Sequence, residues 1–318
     1  MKRIFTLLMM LGLLMTAKAY AKDKLDVFAC EPEWASLAKE IGGDKVETYA
    51  AITARQDPHH VRAKPSLIAA MRKANLVVCS GASLEIGWLP ILLEKVGNAN
   101  TQPGSDGYLL AASYVPILGK PTRLDRADGD VHPEGNPHVH LDPANIALVA
   151  KELLTRLKAI DPANTGAYQA NYDVFSRKWQ ATTVRWEKEA ASLKGMPVIV
   201  YHKDFIYLLN WLGMKGVGSL EPKPGLPPTT SHLEELLQSV KVHPAQVILR
   251  TPFDPDDASE WLSEKAGIPA IVLPFTIGGN DQSTDLFGLF DGTIALLKSA
   301  SVPSELRRDK GETADGQR

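Results

Sequence analysis

Cysteine is scarce in this sequence, with only two among 318 residues. Neither Cys30 nor Cys79 lies close behind the apolar run near the N-terminus, which argues against a lipid-anchored lipoprotein. That run extends only from residue 4 to residue 15, whereas a membrane-spanning helix needs about 20 apolar residues. The scarcity of cysteine thus argues against a lipid anchor, and the shortness of the apolar run argues against a membrane-spanning helix.

The first 21 residues, MKRIFTLLMMLGLLMTAKAYA, instead have the layout of a secretory signal peptide. Basic residues precede the apolar run and alternating alanines follow it. We predict cleavage after Ala19 or Ala21 and a mature protein in an exported compartment. Such a compartment allows Cys30 and Cys79 to pair, and each ends an apolar strand-like run, LDVFAC or NLVVC. A Cys30–Cys79 disulfide is therefore predicted, with two buried free thiols as the alternative.

An excess of positive charge is also missing. The formal net charge is −2, whereas a nucleic-acid or anionic-membrane partner would favour a basic face. We therefore expect no nucleic-acid partner.

Apolar strand-like runs alternate with helical patterns along most of the chain. In the first half, LDVFAC, KVETYAAI, NLVVCSG and YLLAASYVPIL read as strands, and EPEWASLAKEIGG and PSLIAAMRKA as helices. The second half repeats the plan with MPVIVY, AQVILR and IPAIVLP as strands. This alternation predicts parallel sheets covered by helices. We expect two α/β lobes, at residues 22–163 and 195–303.

Residues 164–194 between these lobes contain no proline and only one early glycine. Their aromatic residues recur at helical spacing, which predicts a long helix with an aromatic packing face. Such a helix would be long enough to span both lobes. Residues 304–318 have almost no apolar side chains, so we predict a disordered tail there.

Three of the eight histidines fall within one short stretch, DVHPEGNPHVHLDP. Histidines also occur in QDPHHVRAKPS and VIVYHKDF, again where a loop follows a predicted strand. Ligands of open α/β sheets gather at the carboxyl ends of strands, so these three places could share a metal ion. Imidazole nitrogen suits zinc and copper, and three histidines with an open or carboxylate fourth position favour Zn²⁺.

The residues alone leave the choice of ligands open. Adjacent loop side chains point in different directions, so His59 and His60 are not expected to bind the same ion. His138 and His140 share a face in an extended segment, so either one or both could be ligands. His132 lies in a polar loop, as a solvent residue or an auxiliary metal-capture residue.

A zinc hydrolase is the alternative from a different functional class. The run HVHLD matches the start of the H-x-H-x-D-H pattern of metallo-β-lactamase-like enzymes, in which an open metal position supplies hydroxide. Here Pro143 occupies the place of the last histidine. No acid has an obvious general-base context, so we expect a binding protein and not an enzyme.

Four blocks resemble, in order, the metal-specific solute-binding proteins of ABC importers, particularly the periplasmic zinc members. They are DPHHVRAKPSLIAAMRKANLVVCSGASLEIGWLP, NPHVHLDP, VYHKDFIYLLNWLGM and EPKPGLPPTTSHLEEL. The resemblance implies two α/β lobes with parallel sheets joined by one long rigid helix, and a metal site in the cleft between the lobes.

Position by position, the resemblance implies His59, His138 and His202 as ligands. His60 and His140 fall where the family varies or usually has tryptophan, which leaves them, with His132, as auxiliary candidates. The family commonly supplies a fourth ligand, an Asp or Glu, from a late loop that reads LPFTIGGNDQSTDLF here. The aligned position carries Ile277 or a neighbouring glycine. Asp281 is then the nearest acid, with Asp285 or water as alternatives.

The resemblance further implies capture of Zn²⁺ in the periplasm and delivery to an ABC permease subunit in the inner membrane. Monomeric action and a periplasmic metallochaperone as an additional partner are further expectations. Carriage of manganese or another divalent metal is the alternative within the family, and a zinc-buffering protein without a permease would use the same site.

Overall fold

The computed structural model describes residues 24–123 and 129–301. The predicted signal peptide at 1–21 and the predicted tail at 304–318 lie outside these residues. Within the described ranges, no helix combines the length and the apolar character that a bilayer crossing requires.

The first lobe is built on a four-stranded parallel sheet in the order β2–β1–β3–β4. Helices pack against this sheet, so both predicted features of the lobe are confirmed. The strands are β1 Leu25–Ala29, β2 Val46–Ala50, β3 Leu76–Cys79 and β4 Tyr108–Leu110, and the helices are α1 Pro32–Gly42, α2 Pro65–Lys73, α3 Leu89–Val96 and α4 Pro143–Ile160.

The second lobe repeats the arrangement with the parallel order β6–β5–β7–β8. Its strands are β5 Pro197–Val200, β6 Lys215–Ser219, β7 Val247–Arg250 and β8 Ala270–Val272, and its helices are α6 Ile206–Leu212, α7 Thr230–Val242, α8 Asp257–Ala266 and α9 Leu286–Ser301. Strand β6 was not predicted, because its glycines interrupt the apolar pattern that identifies a strand.

The long helix α5 runs from Thr165 to Glu189 and has 25 residues, or about 37 Å at 1.5 Å per residue. It ends earlier than the predicted 164–194, and a separate 3-10 turn follows at Ala191–Leu193. Its aromatic face is buried, as predicted, and packs against α1, α4 and α9. One apolar cluster includes residues of both sheets and of α5, so the helix joins the lobes through a shared core.

One predicted strand is shorter than expected, and the predicted disulfide is present. The segment YLLAASYVPIL forms only the short strand β4 and then a 3-10 turn at Ala111–Tyr114.

At the ends of the neighbouring strands β1 and β3, Cys30 and Cys79 form a disulfide with their Cα atoms 4.8 Å apart. This bond ties together the carboxyl ends of two neighbouring strands of the first sheet.

Candidate metal site

Three histidines from separate loops converge between the lobes. His59 lies in the loop after β2, His138 precedes the 3-10 turn Val139–Leu141, and His202 follows β5 by two residues. One ring nitrogen from each lies within 4.8 Å of those from the other two. The carboxyl ends of parallel strands thus bring distant residues into one cluster.

His59 is held by a carboxylate on the side of the ring away from the cluster. Asp57 Oδ1 lies 2.8 Å from His59 Nδ1 and also accepts the His59 backbone N–H at 2.9 Å. Burial alone would raise the pKa of Asp57, but its bonds to His59 and His60 hold that pKa well below the usual range. The ionised carboxylate orients the ring, so that Nε2 can present its lone pair to a metal.

His202 has the same arrangement in the second lobe. Its Nδ1 lies 2.6 Å from Glu221 Oε2. Burial lowers the pKa of His202, but the carboxylates of Asp204 and Glu221 outweigh this effect and raise that pKa to about 9. A metal would therefore have to displace a proton from this imidazole at neutral pH.

His138 is the most enclosed of the three, with a 1% exposed side chain. Among the described residues, neither of its ring nitrogens has a hydrogen-bond partner. Burial, followed by the charges of the neighbouring histidines, lowers its pKa well below the ordinary value. The neutral ring is thus available to coordinate a metal without losing a proton.

His132 lies at the mouth of the cluster. Its Nε2 is 3.2 Å from Nε2 of His59, and burial lowers its pKa to about 4. An adjoining cavity of about 510 Å³ is lined by His132 and His202 and by three basic side chains, those of Lys120, Arg123 and Lys203. The structure therefore places His132 beside the cluster, next to a cavity with a basic lining.

The other predicted metal residues lie outside the cluster. The side chain of His60 is 70% exposed and contacts Asp57. His140 is buried, with Nε2 2.9 Å from the carbonyl of Phe275 and Nδ1 3.2 Å from Glu33 Oε1, so it joins the lobes as a structural residue. Asp281 is exposed on the loop before α9, and it does not belong to the cluster of ligand atoms.

Asp204 is an acid near the cluster that the sequence reasoning missed. Its Oδ1 lies 3.2 Å from His138 Nε2 and 3.9 Å from His202 Nε2, and its side chain is 2% exposed. The available signal was its position two residues after His202, at a strand end. The family resemblance instead points to the late loop around Asp281 for the fourth ligand.

A second missed feature is a buried group of glutamates beside the disulfide. Glu31 Oε2 accepts bonds from the Ser80 hydroxyl at 3.1 Å and backbone N–H at 3.3 Å, and Glu85 Oε1 accepts the same N–H at 2.7 Å. Burial, then the charges of Glu85 and Glu33, raises the pKa of Glu31 well above its ordinary value. The pKa of Glu85 is raised to about 7, again by burial. These acids secure the strand ends rather than face the histidine cluster.

Two parallel α/β lobes, one long connecting helix and imidazoles converging between the lobes define the class of metal-binding solute-binding proteins. The family model described as zinc-uptake complex component A, periplasmic (ZnuA), matches residues 27–300. The chain belongs to that family. Its members are binding components of transporters, so the hydrolase alternative is rejected.

Individual relatives are more distant. The metal ABC transporter substrate-binding lipoprotein SloC of Streptococcus mutans serotype c is 29% identical over 183 residues, which cover 56% of this chain and 58% of SloC. The manganese ABC transporter substrate-binding lipoprotein PsaA of Streptococcus pneumoniae is 28% identical over 163 residues, 51% of this chain and 50% of PsaA. The chain thus matches about half the length of these two relatives.

A crystal structure of ZnuA shares the fold. It aligns with a TM-score of 0.72 and 20% identity over 88% of this chain and 98% of that chain. At this identity the likeness concerns the fold, and the ligand set has to be argued from the residues themselves.

Proposed function

We propose that this protein captures Zn²⁺ in the periplasm and delivers it to the permease of an ABC importer in the inner membrane. The observation that carries the proposal is the convergence of His59, His138 and His202 within 4.8 Å. Three imidazole nitrogens suit Zn²⁺, and the carboxylates on His59 and His202 orient the rings as outer partners of metal ligands do.

The identity of the metal has a second candidate. PsaA is named as a manganese protein, so Mn²⁺ or another divalent ion is the alternative cargo. We favour zinc because affinities at nitrogen sites rise from Mn²⁺ towards Zn²⁺.

We also propose that the mature protein is released into the periplasm rather than anchored by a lipid. SloC and PsaA are named as lipoproteins. Here the two cysteines of the sequence are bonded to each other, so neither thiol is available for a lipid. We expect the carrier to act as a monomer, with a periplasmic metallochaperone as an additional partner.

Release of the ion requires help from the permease. A nanomolar dissociation constant corresponds to about −12 kcal/mol, so spontaneous release would be slow. Because α5 packs against helices of both lobes, we expect docking to distort loops and shift the lobes slightly rather than open a wide hinge.

The test is competition titration with Zn²⁺ and Mn²⁺, together with elemental analysis, on metal-stripped mature protein. One zinc per chain is expected for the wild type, and His59→Ala, His138→Ala and His202→Ala should each lose it. His60→Ala is the matched control, because His60 shares Asp57 with His59 but is exposed. Retention of zinc by all three cluster variants would refute the site, and tighter binding of Mn²⁺ would refute the choice of metal.

A further inference from the structure

Asp204 is a buried carboxylate whose surroundings do not satisfy it. It lies in the 3-10 turn Lys203–Phe205, between His202 and α6. In the described part of the chain, its Oδ2 is buried and has no hydrogen-bond partner. A buried carboxylate oxygen without a partner is unfavourable, and a bound cation would satisfy it.

Asp204 lies close to two of the three cluster histidines without a hydrogen bond to either. Its Oδ1 lies 3.2 Å from His138 Nε2, yet that nitrogen is not in hydrogen-bonding geometry with any described residue. The separation of 3.9 Å from His202 Nε2 is also too long for a hydrogen bond. Two donors bound tetrahedrally to one zinc at about 2.0–2.1 Å lie about 3.3 Å apart, so the short spacing fits two ligands of one ion.

We propose that Asp204 is the fourth ligand of the bound ion, completing a set of three imidazole nitrogens and one carboxylate oxygen. The inference rests on the proposed function and adds one donor from the 3-10 turn Lys203–Phe205. The ion would then be held by His59 and His138 from the first lobe and by His202 and Asp204 from the second lobe.

Two other residues compete for the fourth position. Neither of these residues nor Asp204 belongs to the group whose donor atoms all lie within 4.8 Å of one another, so burial and the distances to individual histidines distinguish the candidates. His132 lies 3.2 Å from His59, but it is only partly buried. Asp281 is exposed. Asp204 is the buried candidate that approaches two of the three histidines.

The competing role for Asp204 is that of a counter-charge. In that role it would stabilise a positive imidazole without touching the ion, and any nearby buried acid would act similarly. Asp254 provides the control, because it is a partly buried acid whose charge interacts with those of Asp204 and His202. Its Oδ2 accepts the backbone N–H of Thr251 at 2.7 Å, so it has a structural partner of its own.

The experiment compares wild type, Asp204→Asn, Asp254→Asn and His132→Gln by zinc competition titration and by the visible spectrum of the Co²⁺-loaded protein. Loss of an outer-shell partner weakens metal binding by about 10–100-fold, so loss of a ligand should weaken it by more than about 100-fold. We expect a loss of zinc affinity of this size only for Asp204→Asn. In the same variant, the intense absorption of four-coordinate Co²⁺ should be lost. The melting temperature of metal-free Asp204→Asn should not fall.

The outcomes separate this proposal from the proposed function. If the wild type binds one zinc and the histidine variants lose it, but Asp204→Asn keeps wild-type affinity or an unchanged cobalt spectrum, Asp204 is not a ligand and the carrier site stands. Equal losses of zinc affinity in Asp204→Asn and Asp254→Asn would show that Asp204 acts as a counter-charge and not as a ligand. If the wild type itself binds no zinc, the proposed function fails first.

A zinc-bound crystal structure of the wild type tests the same point without relying on a variant. A distance of about 2.0–2.2 Å between zinc and Asp204 Oδ1 is expected for carboxylate ligation. A bound ion with another group in the fourth position, such as His132, would overturn the proposal whether or not Asp204→Asn folds.

Discussion

At the scale of single residues, the site is governed by carboxylates that the histidines contact. Asp57 and Glu221 bind Nδ1 of His59 and His202 and leave Nε2 of each ring directed towards the cluster. The histidines themselves were visible in the sequence. The orienting role of Glu221 was not, because it lies 19 residues further along the chain and meets His202 only in the fold.

Zinc affinity should rise with pH well into the alkaline range. In the metal-free protein the pKa of His202 is raised to about 9, so below that pH zinc must displace a proton. Apparent affinity should therefore fall about tenfold for each unit of pH lowered from 9 towards 7, with about one proton released per zinc. Calorimetry in buffers of different ionisation enthalpy measures both quantities. Equal affinity at pH 7 and pH 9 would contradict coordination by His202.

At the scale of secondary-structure elements, the ends of β1 and β3 are joined by the disulfide and by the buried glutamates. Trp34 of α1 donates to the Ser80 hydroxyl, which in turn bonds to Glu31. This network holds the loop after β3, where Ser83 has a positive φ of 63° and donates to Glu134 of the His132 segment. These contacts thus connect the ends of β1 and β3 to the segment that bears His132.

Replacing Glu31 by Gln should stabilise the metal-free protein, and more so at higher pH. Because burial raises the pKa of Glu31, the folded state holds this proton at pH values where the unfolded chain has released it. Wild-type stability therefore falls as pH rises above the unfolded value near 4.3. The neutral amide avoids this loss and can still bond to Ser80 and Glu85.

The measurement is thermal unfolding at pH 5 and pH 8. The melting temperature of Glu31→Gln should exceed that of wild type at pH 8 by about 2–4 °C, equivalent to about 1 kcal/mol, and by less at pH 5. Glu47→Gln is the control, because this side chain is 67% exposed. A lower melting temperature for Glu31→Gln at both pH values would show that the carboxylate itself is needed.

At the scale of the whole molecule, a contact across the cleft connects the two lobes beside the site. In the second lobe, Gly225 N–H donates to Glu221 Oε2 at 2.9 Å, and Glu221 holds His202. The neighbouring carbonyl of Pro224 accepts the backbone N–H of Asp130 at 2.8 Å. A metal ligand of one lobe is thereby linked to the segment of the other lobe that carries His132.

Enlarging Gly225 should speed zinc release. Its φ is +74°, and a Cβ there would lie 2.1 Å from Asp130 Oδ2, so Gly225→Ala must displace the contact across the cleft. We expect dissociation to accelerate by about tenfold or more, the scale on which partners of metal ligands act. Stopped-flow transfer of zinc to a chelator measures the rate.

The control for this variant is Gly267→Ala. Gly267 also has a left-handed φ, +67°, but a Cβ there meets open space. It therefore reproduces the backbone strain without disturbing the cleft. Similar release rates for the two variants would mean that strain alone, and not the contact with Asp130, sets any change.

The sequence by itself determined the α/β class, the two-lobe plan and the long helix. The alternation of apolar runs and helical patterns predicts the two lobes, and the absence of proline from residues 164–194 predicts the helix. Each segment shows its pattern independently of the rest. The resemblance of the quoted blocks to one family also singled out the three cluster histidines, whereas their positions after apolar runs left the choice of ligands open. The sequence misjudged the extent of β4 and missed β6, since short or glycine-bearing strands lack a clear pattern.

Only the tertiary structure decided how the polar residues are used. His138 and His140 looked equivalent in sequence, but one faces the cluster, whereas the other bonds to the carbonyl of Phe275 and lies 3.2 Å from Glu33 in the shared interior. Asp281 remained on the surface whereas Asp204 was buried against His138. Such assignments depend on which strand ends and loops meet in space, and sequence spacing carries no record of those distances.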